Sequence, residues 1–443
     1  MCFQLTRAVV AIVGRPNVGK STLFNRIARE KLAIVEDTPG VTRDRLYTSA
    51  KWLEREFLLI DTGGLTDEKD PIQLQIRKQV EIALEEADII ILVVDGRESL
   101  TTSDYQVAEL LRKTKKPTVL ALNKIEDFKT MIDPEIYSLG LGEPVLISAE
   151  HGRNIGDLLD AALGHLPNEA EDYDEDLTRV TFVGRPNVGK SSLVNALLGE
   201  ERVIVSDIPG TTRDAIDTPV TINGSRYLLV DTAGIRRKSK VEAAVEYYSV
   251  LRALRAVERS DVVILVIDAT ENVSEQDLKI AGIIKEAGKA CLILINKWDL
   301  IEKDSKSMEE YTENIKDALD FLDFAPVLFV SAKTGQRLTK LTPLINQVME
   351  SYTFRVSTNR LNQVIADAIM MHHPPSNKGR PFKIYFTSQI KVKPPTFRFT
   401  VNDVEGLHFS YQRYLENKLR EYFGFIGTPI KFLLKINKKG SSD

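Results

Sequence analysis

Short runs of apolar residues, each bounded by polar turns, recur along the chain. Ala8–Val13, Phe57–Ile60, Ile89–Val94, Thr118–Leu122 and Val145–Ile147 form the first set, several of them rich in β-branched side chains. Continuous rather than alternating hydrophobicity predicts strands covered on both faces, the habit of parallel sheets. Helical patterns, Ile72–Glu86 and Ser103–Lys113, lie between them. Strands separated by helices of this length predict right-handed crossovers and a doubly wound, mostly parallel α/β sheet, with ligands bound where strands end. No apolar run reaches the roughly 18–20 residues that cross a bilayer. Met1–Val10 lacks an apolar core ending in a small-residue cleavage site, so no secretory signal is expected.

The pattern is duplicated. Gly14-Arg15-Pro16-Asn17-Val18-Gly19-Lys20-Ser21 recurs 170 residues later as Gly184-Arg185-Pro186-Asn187-Val188-Gly189-Lys190-Ser191. At the same offset Pro39–Asp44 returns as Pro209–Asp214, and Asp61-Thr62-Gly63-Gly64 as Asp231-Thr232-Ala233-Gly234. Asn123-Lys124-Ile125-Glu126 returns as Asn296-Lys297-Trp298-Asp299 at 173, and Ser148-Ala149 as Ser331-Ala332 at 183. Five blocks in one order at so long a spacing mark a duplicated domain, not a solenoid.

These blocks place a first unit at 1–166 and a second at 178–351, joined by an acidic linker at 167–177. Six acidic residues between Asn168 and Asp176 make that linker self-repelling. The remainder, 352–443, reads as an α+β domain: helices at Thr358–Met371 and Ser410–Phe423, strands at Phe382–Thr387, Thr396–Val401 and Pro429–Ile436. Three domains suit a chain of 443 residues that is 43% hydrophobic. Two cysteines, Cys2 and Cys291, are too few for a disulfide scaffold or a zinc site. The expectation is a soluble, cytoplasmic monomer without a membrane partner. The overall charge of −4 hides an asymmetry, since the segment from Tyr352 onward carries a net +9. A basic tail on an acidic body fits polyanion binding, and equally a merely solvated surface.

The chemistry follows from residue type and spacing. Gly-x-x-x-x-Gly-Lys-Ser after an apolar strand is a P-loop, whose backbone N–H groups turn inward around a phosphate. Lys20 and Lys190 are expected on the β- and γ-phosphate oxygens, and Ser21 and Ser191 on Mg2+. Asp61 and Asp231 open Asp-x-x-Gly, placing a carboxylate near the metal and the N–H of Gly64 or Gly234 near the γ-phosphate. Thr42 and Thr212, between these blocks, are candidates to complete the Mg2+ shell. Asp299 of Asn-Lys-x-Asp accepts two hydrogen bonds from guanine and finds no such pair on adenine. Glu126 is one methylene longer and must sit differently. Asn123 and Asn296 brace neighbouring loops, Lys124 and Lys297 cover the base, and the Ala149 and Ala332 N–H groups face guanine O6.

With these residues in view, the chain resembles the Der (EngA) family, the double Era-like GTPases. The resemblance spans nearly the whole chain. It implies GTP hydrolysis to GDP, a role in assembling the large ribosomal subunit, ribosomal RNA as a partner, and a KH-like fold for the basic domain. Leu65 and Ile235 stand where many GTPases carry a water-orienting Gln. That is similar to the hydrophobic-substituted class, in which Asn17 and Asn187 would help bind K+; the alternative is that both only cap turns. Arg236-Arg237-Lys238 opposes Thr66-Asp67-Glu68, so the two switch regions differ in charge. Gly424-Phe425-Ile426-Gly427 matches a KH phosphate clamp only literally, because it precedes a strand and has an apolar centre; it is expected to be a turn. Lys391, Lys393, Arg398, Lys431, Lys435, Lys438 and Lys439 point instead to diffuse backbone contacts with RNA. An RNA-modifying enzyme would need a cofactor site or catalytic Cys that the sequence lacks. A scaffold with one permanently occupied unit stays open.

Overall fold

The computed structural model describes residues 8–29, 47–53, 55–65, 87–114, 116–126, 132–166, 177–199, 203–205, 217–222, 224–231, 245–301, 307–377 and 380–437, with 77, 80, 81, 83 and 84. The chain divides chiefly at residue 172 into two compact units.

In the first unit, β1 (Ala8–Val13), β2 (Tyr47–Trp52), β3 (Arg55–Asp61), β4 (Ile89–Asp95), β5 (Thr118–Asn123) and β6 (Val145–Leu146) form one sheet, ordered β2-β3-β1-β4-β5-β6. Only the β2–β3 pair is antiparallel. Every residue of β4 is buried, as a central strand covered on both faces must be. Helices α1 (Lys20–Arg29) and α2 (Thr102–Arg112) lie in crossovers, and α3 (Ile155–Leu163) follows the last strand. Leu23 and Ile27 of α1 and Leu158 and Leu159 of α3 join Phe57 and Ile91 in one core. The helix expected at Ile72–Glu86 falls mostly outside the described residues, and the linker expected at 167–177 almost wholly so.

The second unit repeats this plan. β7 (Thr178–Val183), β8 (Val203–Val205), β9 (Thr218–Ile222), β10 (Ser225–Leu229), β11 (Val262–Asp268), β12 (Ala290–Asn296) and β13 (Val327–Phe329) are ordered β13-β12-β11-β7-β10-β9-β8. Its helices are α4 (Lys190–Leu198), the part of α5 (Val245–Arg259) from Arg252 onward, α6 (Glu275–Ala287), α7 (Ser307–Ala318) and α8 (Leu341–Thr353). Here β8–β9 and β9–β10 are antiparallel. These edge strands and β2 are absent from the sequence reading. β2 and β9 mix polar and apolar residues, as half-exposed antiparallel edges do, and β8 is only three residues long.

The C-terminal segment, part of the same unit, contains α9 (Thr358–Met371), the ribbon β14 (Ser376–Asn377) and β15 (Arg380–Pro381), then β16 (Ile384–Lys391), β17 (Thr396–Val401), α10 (Phe409–Phe423) and β18 (Lys431–Ile436). β17 pairs antiparallel with β16 and parallel with β18. Leu361, Ile365, Leu415 and Leu419 pack the two helices onto Phe397 and Phe399. The turn at Gly424–Gly427 docks on the seven-stranded sheet's domain: Gly427 N–H donates to Phe324 O at 2.9 Å, and Cys291 N–H donates to Gly427 O at 2.7 Å. Lys393 Nζ adds an ion pair to Asp261 at 3.3 Å. Among the described residues no helix is long and apolar enough to cross a membrane.

Candidate functional site

Both P-loops leave the C-terminal end of a central strand and enter a helix, α1 or α4. Gly19 and Gly189 sit at φ +95 and +96, and a Cβ on either would lie 2.3 or 2.2 Å from the Nδ2 of Asn123 or Asn296. Glycine is therefore required for two reasons: the left-handed backbone and the close approach of that amide. Asn17 and Asn187 both adopt φ 65, a conformation Asn tolerates in turns.

The lysines are held inside the loops. Lys20 Nζ donates to Gly14 O at 2.9 Å and Arg15 O at 2.8 Å. Lys190 Nζ donates to Gly184 O at 2.7 Å and Arg185 O at 2.5 Å. Burial pushes the Lys20 ammonium down to about 8, opposed by Asp61. Burial does the same to Lys190, again to about 8, opposed by Asp277 and Asp231. An ammonium buried among carbonyls at a helix N-terminus is a ready receptor for phosphate. Asp61 ends β3 and its Oδ1 accepts from Gly63 N–H at 2.9 Å, while Thr62 Oγ1 donates to Ile12 O at 2.6 Å. Gly64 and Leu65 complete a short 3-10 turn. Asp231 occupies the equivalent strand end at φ 61, its N–H donating to Asp217 Oδ1 at 3.1 Å. Ser21 and Ser191 lie exposed on the first helical turns. Hydroxyl and carboxylate oxygens suit a hard divalent cation. Thr42, Thr212, Thr232, Ala233, Gly234 and Ile235 lie outside the described residues.

The asparagines tie the Asn-Lys-x-Glu and Asn-Lys-x-Asp segments to the P-loops. Asn123 Nδ2 donates to Val18 O at 2.8 Å and its Oδ1 accepts from Ala149 N–H at 2.9 Å. Asn296 does the same with Val188 O at 2.8 Å and Ala332 N–H at 3.1 Å. One side chain thus fixes three loops. Lys124 and Lys297 reach back to Asp95 Oδ2 at 2.6 Å and Asp268 Oδ2 at 2.5 Å. Ile125 N–H donates to Ile147 O at 3.1 Å and Trp298 N–H to Val330 O at 3.1 Å, so these intervening residues serve the fold. Trp298 is 1% exposed and packs against Tyr311 and Phe329. The acidic residues that end the two motifs diverge. Asp299 Oδ1 accepts from Ser331 Oγ at 2.6 Å. The Glu126 side chain is 62% exposed and paired with Arg97.

Arg15 and Arg185 contribute carbonyls rather than guanidinium groups to the cradle. Their side chains run to Glu98 and Asp104 (2.5 and 3.4 Å) and to Glu271 and Asp277 (2.7 and 2.9 Å). Asp104 and Asp277 are also the capping-box acids of α2 and α6, so each P-loop is braced on a neighbouring helix start. The sequence reading missed these acids and the lysine partners Asp95 and Asp268. The 173-residue offset relates all of them pairwise, and that signal was available.

Residues 9–124 and 179–297 match the family described as "50S ribosome-binding GTPase", and 355–435 match the "KH-domain-like of EngA bacterial GTPase enzymes, C-terminal". The chain is 56% identical over 439 residues to GTPase Der of Caldanaerobacter subterraneus subsp. tengcongensis, covering 98% of this chain and 100% of that one. It is 55% identical over 437 residues to GTPase Der of Geobacillus thermodenitrificans, covering 98% and 100%. A solved structure of Era in complex with MgGDPNP and nucleotides 1506-1542 of 16S ribosomal RNA is 22% identical, with a TM-score of 0.31, over 60% of this chain and 94% of that one.

Proposed function

The chain belongs to the Der (EngA) family of GTPases, and from that membership we propose that it is a nucleotide-dependent switch acting in assembly of the large ribosomal subunit. It binds GTP and hydrolyses it to GDP. The carrying observation is the cradle built twice: a buried lysine capped on P-loop carbonyls, and an asparagine joining that loop to the base motif.

In this reading the domains run 1–166, 178–351 and 352–443, joined by the linker 167–177. Lys20 and Lys190 exchange loop carbonyls for phosphate oxygens. The N–H groups of Gly64 and Gly234 sense the γ-phosphate. Asp299 and Glu126 read guanine, and the Ala149 and Ala332 N–H groups turn from the Asn123 and Asn296 side chains to meet its O6. Ser21, Asp61 and Thr42, with Ser191, Asp231 and Thr212, hold Mg2+, which neutralises charge on the phosphates when bound. Asn17 and Asn187 ligate K+, which supplies positive charge where Leu65 and Ile235 replace a polar residue. Turnover is then slower in Na+ than in K+, and equal rates would remove the K+ role. The basic C-terminal domain contacts ribosomal RNA through its lysines, the protein acts as a monomer, and its compartment is the cytoplasm.

Co-sedimentation with large ribosomal subunits tests the switch. Binding with a non-hydrolysable GTP analogue is expected to differ from binding with GDP, and Lys20→Ala and Lys190→Ala are each expected to lower turnover. Equal, negligible sedimentation in both nucleotide states would refute the ribosomal role. Unchanged turnover in both variants would refute the P-loop assignment.

A further inference from the structure

We propose that Arg97 is a positioning residue for base recognition at the first nucleotide site, holding the longer Glu126 carboxylate where guanine meets it. The inference rests on the reading that Glu126 contacts guanine.

The duplication supplies an internal control for every position. At the second site Asp299 is fixed by Ser331 Oγ at 2.6 Å, and that hydroxyl accepts in turn from Thr334 N–H at 3.2 Å. At the first site Ser148 occupies the same register, and its backbone exchanges hydrogen bonds with Arg153 at 3.1 Å. The Glu126 carboxylate is taken by Arg97 instead. The same guanidinium donates from Nε to Lys124 O at 3.0 Å, so it spans the motif from Lys124 to Glu126. Its base is fixed too: Arg97 N–H donates to Asp95 Oδ1 at 3.0 Å, and Asp95 Oδ2 pairs with Lys124. Thr270, the counterpart of Arg97, turns back on Asp268 Oδ1 at 2.7 Å.

Two further arginines brace this site. Arg26 Nε donates to Ala149 O at 3.2 Å, and Arg153 donates to Glu126 O at 3.3 Å. Their counterparts are Ala196 and Gln336. A carboxylate offers roughly four lone-pair sites, so one guanidinium leaves acceptors for the N1–H and amine of guanine. Glu126 has one more rotatable bond than Asp299. Fixing that bond before the base arrives lowers the ordering cost of binding.

The test uses the full chain carrying Lys190→Ala, which silences the second P-loop. GDP and IDP, which lacks the 2-amino group, are titrated by calorimetry. Because an exposed ion pair is weak, Arg97→Ala is expected to weaken GDP about threefold to fivefold and IDP less than about twofold, narrowing the preference. Arg97→Lys should narrow it similarly, because a point ammonium cannot span both acceptors. In a Glu126→Ala background, which removes the carboxylate, Arg97→Ala should have no further effect on the preference. An unchanged GDP-to-IDP preference in Arg97→Ala overturns the proposal, including when both ligands weaken equally. Glu126→Ala separates the layers. If it abolishes the preference while Arg97→Ala keeps it, only the positioning role falls. If it leaves the preference intact, the guanine contact falls and the positioning role with it.

Discussion

Replacing Gly189 with alanine isolates the contact by which Asn296 ties the P-loop to the Ala332 loop in the second unit. Gly189 sits at φ +96, and an alanine Cβ there would lie 2.2 Å from Asn296 Nδ2. Gly224, in the β9–β10 hairpin, has φ +83 and nothing within 4 Å of its hypothetical Cβ. Both substitutions incur the left-handed backbone cost, about 1–2 kcal/mol. Only Gly189→Ala must also displace Asn296, which donates to Val188 O at 2.8 Å and accepts from Ala332 N–H at 3.1 Å. Those two buried bonds contribute about 0.5–1.5 kcal/mol each. Gly189→Ala should therefore cost about 2–5 kcal/mol and Gly224→Ala about 1–2 kcal/mol. The chain has two tryptophans, and Trp52→Phe leaves Trp298, 1% exposed beside Asp299, as the reporter of the second unit. Urea unfolding followed by its fluorescence gives the difference as a shift in midpoint at constant slope. Calorimetry should show GDP weakened at the second site by about five- to 150-fold for Gly189→Ala, the same energy expressed as affinity. Equal midpoints and equal GDP affinities for the two variants would refute the argument that Asn296 links the loops.

Three other predictions concern charge and packing. Lys20 and Lys190 are pushed by burial from 10.5 down to about 8; the unfolded chain then holds more protons between those values, so their burial costs stability at neutral pH and the cost fades as pH rises from 8 toward 10.5. Phosphate favours the ammonium form, so GDP binding at pH 9 should take up protons and its affinity should fall above pH 8. Binding heats independent of buffer ionisation at pH 9 would contradict this. Asp299→Asn, which replaces one acceptor oxygen of the carboxylate held by Ser331 with a donor NH2, should weaken GTP at the second site at least about tenfold and admit xanthosine triphosphate; competition between the two nucleotides measures it, and retained GTP affinity counts against the base contact. Gly427→Ala places a Cβ 2.5 Å from Val348 Cγ2 at φ +66 and threatens the Cys291 N–H bond to Gly427 O, so hydrogen exchange at Cys291 should accelerate by one to two orders of magnitude, about 1.5–3 kcal/mol of lost protection. An unchanged Cys291 exchange rate would show that the turn does not hold this edge.

The parts legible in the sequence are those in which backbone geometry dictates residue type. The P-loop glycines, the buried strands β4 and β11, and the helix Thr358–Met371 could be read because a left-handed turn, a two-faced burial and a 3.6-residue stripe each leave a local mark. The antiparallel edges left none, since β2 and β9 carry too few consecutive apolar residues to stand out. Side-chain pairings across long separations were also silent. Arg15 meets Asp104, and Arg97 meets Glu126, only because two strand ends lie side by side in the sheet. The offset of the repeat betrays Asp104 through Asp277. It cannot betray Arg97, whose counterpart is a threonine.

That asymmetry separates what the duplicated fold must keep from what each copy solves for itself. Main-chain tasks are met the same way in both units, the lysine on two carbonyls and the asparagine between the P-loop and its own loop, and so is the buried ion pair of the arginine with the capping-box acid. Each of these groups sits where backbone atoms leave little choice of partner, and a substitution would strand a buried donor or charge. The acid proposed to read the base is different. It lies at the open rim, where water can replace a lost partner, so two chemistries satisfy the same need: a short aspartate pinned by a serine hydroxyl at 2.6 Å in one copy, a longer glutamate paired with an arginine in the other. Burial sets how far the copies can diverge, and the two sites are therefore expected to differ in base discrimination more than in phosphate binding.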